Sequence, residues 1–209
     1  MATTRRAGRR MRTAGMVVAL AVGAAGVTVA AAEPTAASSK LPVHYTVDAS
    51  TTLAKLHQTV TVPPGTFRGS VDLSTGRLVG HLALPPATTT VGLAGIGLAT
   101  ATFQLAPVGR IHGSVDFATL TVTATASFNV LVTSVDPLGL PVNLVGNSCG
   151  TSTPVTVTFT GPFSLSGGST FTGTYTIPPL QNCGAATAAL DVVIPGPGNQ
   201  FAATFVPAT

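Results

Sequence analysis

The chain has 209 residues, and its formal net charge of +4 comes from 10 basic and 6 acidic side chains. Five of the ten basic residues lie at positions 5–12, so the positive charge does not describe the rest of the chain. The five that remain, with two tyrosines as the only aromatic residues besides phenylalanine, exclude both a phosphate-tracking basic stripe and a base-stacking platform. We expect no nucleic-acid partner.

The first 32 residues have the pattern of a secretory signal peptide. An arginine cluster precedes an apolar run at residues 14–32, which ends in the small-residue cleavage signal Ala30-x-Ala32. Cleavage before Glu33 leaves five basic and six acidic residues, a net charge of 5 − 6 = −1. The run is close to the roughly 20 residues of a membrane anchor, but its alanine and glycine content favours cleavage. We therefore expect a secreted or loosely envelope-associated protein with no membrane span after cleavage.

Beyond the signal peptide, the sequence predicts a flexible tether at residues 33–40 and one all-β domain at residues 41–209. The tether is rich in alanine, serine and threonine, a composition common at mobile termini. The mature chain of 209 − 32 = 177 residues has the size of one domain, and such a chain buries roughly 70% of the surface that its unfolded form exposes. No charged or Gly/Ser-rich linker divides it.

Alternation of apolar and polar residues with a period of two dominates the expected domain. At residues 119–132 the even positions are apolar, and the odd ones from 119 to 129 are threonine, serine or asparagine. Similar patterns recur at residues 155–159 and 171–177. This alternation is typical of half-buried strands and not of helices. Proline donates no hydrogen bond to a sheet, so three proline pairs are each expected to end a strand: residues 63–64, 85–86 and 178–179. The sequence predicts a single antiparallel sandwich or barrel of about ten to twelve strands.

An internal repeat supports this organisation. Residues 63–75 align without gaps to residues 107–119, and a fainter copy lies at residues 168–175. In each copy, a turn leads into a strand with one residue pointing inward and the next outward: Phe67 and Arg68, Ile111 and His112, Phe171 and Thr172. We interpret the repeat as a shared structural corner and not as a repeated active site.

The sequence contains no recognisable catalytic, metal-binding or cofactor-binding motif, and we expect none of these sites. A two-carboxylate glycoside hydrolase would have to draw its acid and base from the five aspartates of the domain. Asp72 and Asp116 are the suggestive pair because they occupy equivalent positions of the repeat, but aspartates beside turns commonly bind nearby backbone N–H groups. The four histidines lack the spacing that puts two imidazoles on one metal. A hydrolase that uses aspartates is kept only as an alternative.

Cys149 and Cys183 are the only cysteines. An exported chain meets an oxidising environment, so we expect a structural disulfide between them. Closing a loop of about 35 residues is worth roughly 4 kcal/mol in the chain-entropy treatment. The bridge would join the end of one strand pair to the proline-rich turn after Ile177.

One segment, residues 91–105, breaks the alternation, because its first half is apolar or glycine on both strand faces. A central strand covered on both sides, or an apolar loop under the sheet, would explain this composition. The segment would also suit the wall of an apolar cavity, in which glycines leave room for a ligand, and residues 138–145 would then form its lid. The candidate contacts for an apolar ligand are Leu93, Ile96, Leu98 and Phe103.

Two resemblances to known proteins extend this interpretation. The threonine-rich strands, the proline pairs and residues 174–184 and 195–199 resemble small exported all-β proteins of unknown function from high-GC Gram-positive bacteria. Residues 45–48 (Tyr-Thr-Val-Asp), 65–69 (Gly-Thr-Phe-Arg-Gly) and 150–155 (Gly-x-x-x-Pro-Val) are similar to parts of the YceI-like family. Members of that family are extracytoplasmic lipocalin-like barrels that hold long isoprenoid lipids, so the second resemblance implies an apolar ligand.

Three hypotheses about function follow from the sequence. The first is a secreted or envelope-associated non-catalytic β-domain that acts through its surface, with a component of the cell envelope as a partner. The second is a lipocalin-like carrier of an apolar small molecule, either a lipid or an isoprenoid. The third is the aspartate-dependent hydrolase. A closed core favours the first hypothesis, whereas an apolar void of several hundred Å³ would favour the second.

Overall fold

The computed structural model of the chain describes residues 39–93, 97–138, 140 and 142–208. The expected signal peptide at residues 1–32 and nearly all of the expected tether lie outside these residues. The described part contains twelve strands, one 3-10 turn (Gly184–Ala186) and one short helix, α1 (Thr187–Val193). The strands are β1 (Lys40–Leu53), β2 (Gln58–Asp72), β3 (Arg77–Ala83), β4 (Ala87–Leu93), β5 (Gly97–Pro107), β6 (Ile111–Asp116), β7 (Thr121–Pro137), β8 (Gly150–Thr151), β9 (Val155–Pro162), β10 (Ser169–Ile177), β11 (Leu180–Gln181) and β12 (Gly196–Pro207).

Eight of these strands close into an antiparallel barrel. In the order β7-β6-β3-β2-β1-β12-β10-β9, each strand pairs with the next. Strand β9 then pairs back to β7, from Thr121 opposite Pro162 to Phe128 opposite Val155. The prediction of a single antiparallel sandwich or barrel with ten to twelve strands is confirmed, and the closed ladder identifies the architecture as a barrel. Closure leaves the barrel wall without a free edge strand.

The other four strands form an extension at one end of the barrel. Strands β4 and β5 form a hairpin, and β5 pairs with the second half of β7. The two-residue strands β8 and β11 pair with each other, and β8 also pairs with β7. Strand β7 has 17 residues, so its first half belongs to the barrel wall and its second half to the extension.

Two apolar cores hold these parts together. The larger core fills the barrel, and the smaller core lies in the extension, where Leu190 of α1 packs with Val135, Cys149 and Cys183. Each of these four residues is at most 2% exposed. The sequence did not predict α1, because seven residues with one buried side chain are too few to show the helical period.

The expected alternation is confirmed in the barrel strands. In β9, Val155, Val157 and Phe159 are buried, while the threonines between them are exposed. Exposed threonines of neighbouring strands pair through their hydroxyl groups, as Thr125 and Thr158 do at 3.1 Å. The stiff β-branched side chain of threonine suits this exposed strand face. The outer wall of the barrel is therefore rich in hydroxyl groups.

The alternation fails at the start of β7. The pattern predicted Leu120 on the buried face, but the side chain is 55% exposed and its φ is 51°. A positive φ is unusual for a bulky residue, and here it closes the tight turn between β6 and β7. The carboxylate of Asp116 accepts hydrogen bonds from the backbone N–H groups of Ala118 and Thr119 in that turn. The turn chemistry thus overrides the apolar pattern, and the strand begins only at Thr121.

Two of the three proline pairs mark strand ends as expected. Strand β3 ends just before the pair at residues 85–86, and β10 ends before the pair at residues 178–179. The expectation is wrong for residues 63–64, because β2 runs through them. Val47 lies opposite Gly65 and Ala49 lies opposite Val62, so two prolines face a single residue of β1. This bulge removes the need for the N–H groups that proline lacks.

Candidate functional site

Aromatic side chains fill the interior of the barrel. The ring centroids of Phe171 and Phe205 lie 5.0 Å apart, and those of Phe67 and Phe205 lie 5.6 Å apart, both in edge-to-face geometry. Edge-to-face contact brings the positive edge of one ring to the negative face of the next. Five further buried rings belong to the same core: Tyr45, Phe128, Phe159, Tyr175 and Phe201.

The space left between these rings is divided into small apolar voids. Three voids border the barrel core, with volumes of about 40, 30 and 40 Å³. Pockets that bury a drug-sized ligand measure about 300–1,000 Å³, so each void is smaller by roughly an order of magnitude. The first void borders Ser169, whose hydroxyl has no hydrogen-bond partner among the described residues. It has room for a water molecule, but not for a lipid chain.

Of the four expected ligand contacts, Leu98 and Phe103 have described side chains, and the structure places these two on opposite faces of β5. Phe103 is partly buried and borders the third void, whereas Leu98 is 59% exposed. The two residues are an odd number of positions apart on β5, and side chains alternate between the two faces of a strand. Leu93 is the last residue of β4, where its backbone pairs with that of Gly97. Ile96 lies outside the described residues.

The two apolar segments at residues 91–105 and 138–145 do meet, but they meet at the surface. The backbone N–H of Leu138 donates to the carbonyl of Leu98 at 3.0 Å. The side chains of Leu138 and Leu140 are 56% and 59% exposed. Instead of a lid over an internal cavity, Leu98, Leu138 and Leu140 form an exposed apolar end of the extension. Val91, Ala99 and Val145 of the same segments are buried in its small core.

The disulfide between Cys149 and Cys183 is confirmed. Both half-cystines are buried in the small core of the extension. Cys149 directly precedes β8, and Cys183 lies just after β11, which follows the proline pair at residues 178–179. The bond therefore fastens the paired strands β8 and β11, close to the proline-rich turn after Ile177 that the sequence predicted as one of its ends.

Asp72 and Asp116, the suggestive carboxylate pair, both stabilise turns. Asp72 accepts hydrogen bonds from the backbone N–H and hydroxyl of Ser74 and from the N–H of Thr75. These bonds, with the Ser74 hydroxyl as the largest contribution, lower the pKa of Asp72 to about 2, and N–H donors likewise lower the pKa of Asp116. A general acid needs a raised pKa to hold its proton near neutral pH. The bonding of these carboxylates favours the structural interpretation that the sequence suggested.

The outer wall carries a feature that the sequence did not predict. A cleft of about 460 Å³ lies on the outer face of β2, β3 and the start of β6. We call it the basic cleft, and its charged and imidazole side chains are Lys40, Arg68, Asp72, Arg77, His81, Arg110 and His112. The backbone of Gly69 and Gly80 forms part of its lining. A Cβ built on Gly80 would overlap the ring of Phe67 inside the barrel, so the wall is thin at this point.

Strand register gathers these side chains from distant parts of the sequence. Arg68 lies opposite His81 in the ladder of β2 and β3, and His112 lies opposite Val79 in the ladder of β3 and β6. Arg110 immediately precedes β6. Because Gly80 pairs with Ile111 in the antiparallel ladder, Arg110 lies at the position opposite His81. Because neighbouring strands lie about 4.8 Å apart, Arg68, His81 and Arg110 form a row about 10 Å long across three strands.

The basic cleft concentrates positive charge in a domain whose described residues carry no net charge overall. The described residues include five basic and five acidic side chains, and the cleft holds four of the basic ones and one of the acidic ones. Its net charge is 4 − 1 = +3, which leaves 1 − 4 = −3 for the rest. Arg68 donates from Nε to Nε2 of His44 at 3.2 Å. Within the described part of the chain, Arg77 and Arg110 form no salt bridge through their guanidinium groups.

The internal repeat held the one sequence signal for this cleft. The structure confirms that Phe67, Ile111 and Phe171 point inward and that Arg68, His112 and Thr172 point outward. The repeat therefore placed Arg68 and His112 on the outer wall. It could not show that β3, with Arg77 and His81, lies between the two copies.

Metal-ligand clusters and membrane-spanning helices are both absent from the described residues. No group of three or more His, Cys, Asp or Glu side chains in this part of the chain is arranged to hold a metal ion. Within the same ranges, no helix has the length and apolar character needed to cross a membrane.

Comparison with known proteins gives no further guide. No protein-family model, no curated protein and no solved structure matches the chain. The two resemblances drawn from the sequence remain expectations, and the function has to be inferred from the geometry of the barrel and its outer wall.

Proposed function

We propose that the protein is a secreted, non-catalytic β-domain that acts through its outer surface. The observation that carries this proposal is the packed interior, in which the voids between the aromatic rings measure about 40, 30 and 40 Å³. A carrier of a long apolar molecule needs several hundred Å³. Several of the interlocked rings would have to leave their packed positions to provide that space.

Secretion is supported by the leader pattern and by the disulfide. Disulfides persist in oxidising compartments and are rare in the cytosol. The mature protein is proposed to begin at Glu33 and to reside outside the cell, free or loosely held by the envelope. The surface hypothesis also fits the barrel wall. A closed barrel leaves no edge strand that could pair with another chain, so a partner would have to bind the side chains that the outer face presents.

Mass spectrometry of the protein from the culture supernatant of its own host tests both parts. Under denaturing conditions, the mass should correspond to a chain that begins near Glu33. Under native conditions, the mass should equal that of the oxidised polypeptide alone. The control is the same protein unfolded in denaturant, washed with organic solvent and refolded, which should give the same native mass.

A native mass that exceeds that of the stripped control, with a lipid recovered in the organic wash, would favour the carrier hypothesis. Intact precursor in the membrane fraction would contradict the proposal of secretion. The first result would make the apolar side chains that border the voids the candidate ligand contacts.

A further inference from the structure

We propose that the basic cleft binds an anionic polysaccharide, a sugar polymer that bears phosphate, sulfate or carboxylate groups. This inference rests on the proposed action through the surface, and it names the class of partner. It follows from four properties of the cleft: the segregated charge, the unpaired arginines, the spacing of the cations and the neighbouring hydroxyl groups.

The charge arrangement is not explained by folding. Like charges directly opposite one another destabilise a sheet, and the ladders avoid this arrangement. Lys40 lies opposite Asp72, and Arg68 lies opposite His44 and His81. Yet four of the five described basic residues share the cleft with one acid, Asp72. Asp72 uses its carboxylate on the turn at Ser74 and Thr75. A site that attracts anions would account for the gathering of these cations on one face of the barrel.

The arginines have the chemistry that anion recognition needs. A guanidinium group offers a planar set of N–H donors that matches the oxygens of carboxylate, sulfate or phosphate. Arg77 and Arg110 form no salt bridge with other described residues, so the binding of an anion would not require an existing ion pair to break. Arg68 is held through Nε by His44, which leaves its terminal NH₂ groups for a ligand.

The spacing of the cations favours a ligand with several charges. Arg77 and His81 are four residues apart on β3, which corresponds to roughly 13 Å along the strand. Arg68 and Arg110 lie about 10 Å apart across the sheet. A single small anion is too short to contact cations at both ends of this area, whereas successive charged units of a polymer can.

The surroundings of the cleft favour a polysaccharide over a nucleic acid. The ladders continue from His112 to Thr125 and from Ser114 to Thr123 on β7, and from there to Thr158 and Thr160 on β9. A polymer that leaves the cleft in this direction meets neutral hydroxyl groups, which can hydrogen-bond to sugar hydroxyls. The described residues that line the cleft include no phenylalanine, tyrosine or tryptophan, and single-stranded nucleic acids are bound largely by stacking on such large rings.

Biolayer interferometry on the purified mature protein tests this proposal. The immobilised probes are heparin, polygalacturonate and phosphorylated dextran, which carry sulfate, carboxylate and phosphate, and neutral dextran. We expect binding to at least one charged probe at about 0.1 M ionic strength and its loss at about 1 M, because salt screens exposed charges. We expect no binding to dextran. The probe that binds best identifies the anionic group.

Matched variants separate the cleft from the general charge of the protein. Arg110→Gln should weaken binding about tenfold, since one charge-assisted hydrogen bond is worth that factor in affinity. Lys55 is the one described lysine or arginine outside the cleft, and its Nζ donates to the carbonyl of Val192. Lys55→Gln should therefore change the affinity little. Circular dichroism of both variants checks that the exposed substitutions leave the fold intact.

Three outcomes would overturn the proposal: no binding to any charged probe at low salt, an equal loss in Arg110→Gln and Lys55→Gln, or tighter binding of a single-stranded oligonucleotide with the same response to the variants. These outcomes are distinct from failure of the proposed surface function. That failure would appear as an apolar ligand in the native mass spectrum, whereas an empty barrel that binds no glycan contradicts only the assignment of the partner.

Discussion

Removal of the disulfide tests how the extension contributes to stability. The double variant Cys149→Ala/Cys183→Ala eliminates the cross-link without leaving a thiol or a hydroxyl in the small core. The bond joins residues that are 34 positions apart in the chain. In the chain-entropy treatment, a loop of this length stabilises the folded state by about 4 kcal/mol, because the cross-link restricts the unfolded chain.

This loss should be measurable in two ways. For a domain of this size, 1 kcal/mol changes Tm by about 2–4 °C, so a Tm lower by roughly 8–16 °C is expected. Equilibrium urea denaturation followed by far-UV circular dichroism gives the free energy of unfolding directly. The native spectrum should not change, because the barrel strands do not depend on the bond for their pairing. Wild-type protein under reducing conditions is the matched control and should resemble the double variant.

Equal stability of the oxidised wild type and the double variant would refute this reasoning. So would titration of two reactive thiols in the native secreted protein, since both half-cystines are at most 2% exposed and bonded to each other. A loss confined to an early transition, with the barrel unfolding unchanged, would show instead that the extension unfolds independently of the barrel.

Two further predictions concern the barrel core and the turns. Phe67→Ala should lower the free energy of unfolding by about 3–5 kcal/mol in urea denaturation, because the ring is 4% exposed and packs against Phe205. Leu120→Ala, at an exposed turn position, is the control. A small and similar change in the free energy of unfolding of both variants would contradict a packed interior. Acid should also destabilise the protein, because the pKa of Asp72 is lowered from 3.8 to about 2 in the folded state. The stability that Asp72 contributes is complete above pH 3.8 and is lost as the pH falls through about 2. Thermal melts should therefore show a flatter pH dependence between these values in Asp72→Asn, and an unchanged profile would contradict the role of its hydrogen bonds.

Much of the fold could be predicted from local pattern. The alternation identified the buried faces of β7, β9 and β10, because a strand with one buried face must repeat with a period of two. The pairing of the two cysteines followed from their number. The pattern could not show that β9 returns to β7, since closure depends on register between residues such as Thr121 and Pro162 that no local sequence signal specifies.

The local errors have local physical causes. Leu120 is apolar and in phase with the strand that follows, but the carboxylate of Asp116 binds the backbone of the turn that contains this residue. The strand therefore begins at Thr121, after the alternation has already begun. The proline pair at residues 63–64 is tolerated inside β2 because a bulge in the ladder with β1 relieves the missing donors. In both cases hydrogen bonding of the backbone outweighed the side-chain pattern.

The candidate ligand contacts illustrate a different limit. Glycine-rich apolar sequence is compatible with a cavity wall and equally with an exposed end of a sheet, because composition does not show which face is covered. Leu98 and Phe103 fall on opposite faces of β5, and only Phe103 borders a void. The basic cleft was missed for a related reason, since its cations are spread over 71 positions from Lys40 to Arg110 and only the strand order β1-β2-β3-β6 unites them.

The barrel separates the residues that stabilise it from those proposed to bind. Inward positions such as Phe67 are fixed by packing, whereas the neighbouring outward position, Arg68, is exposed and contributes little to the core. If the cations of the basic cleft repel one another, their replacement should leave stability unchanged or raise it while weakening the binding of an anionic polymer. A gain in stability combined with a loss of binding is the pattern expected of a functional site. Side chains retained for the fold alone would show the opposite, so the urea midpoint of Arg110→Gln measured beside its affinity distinguishes the two origins of the cleft.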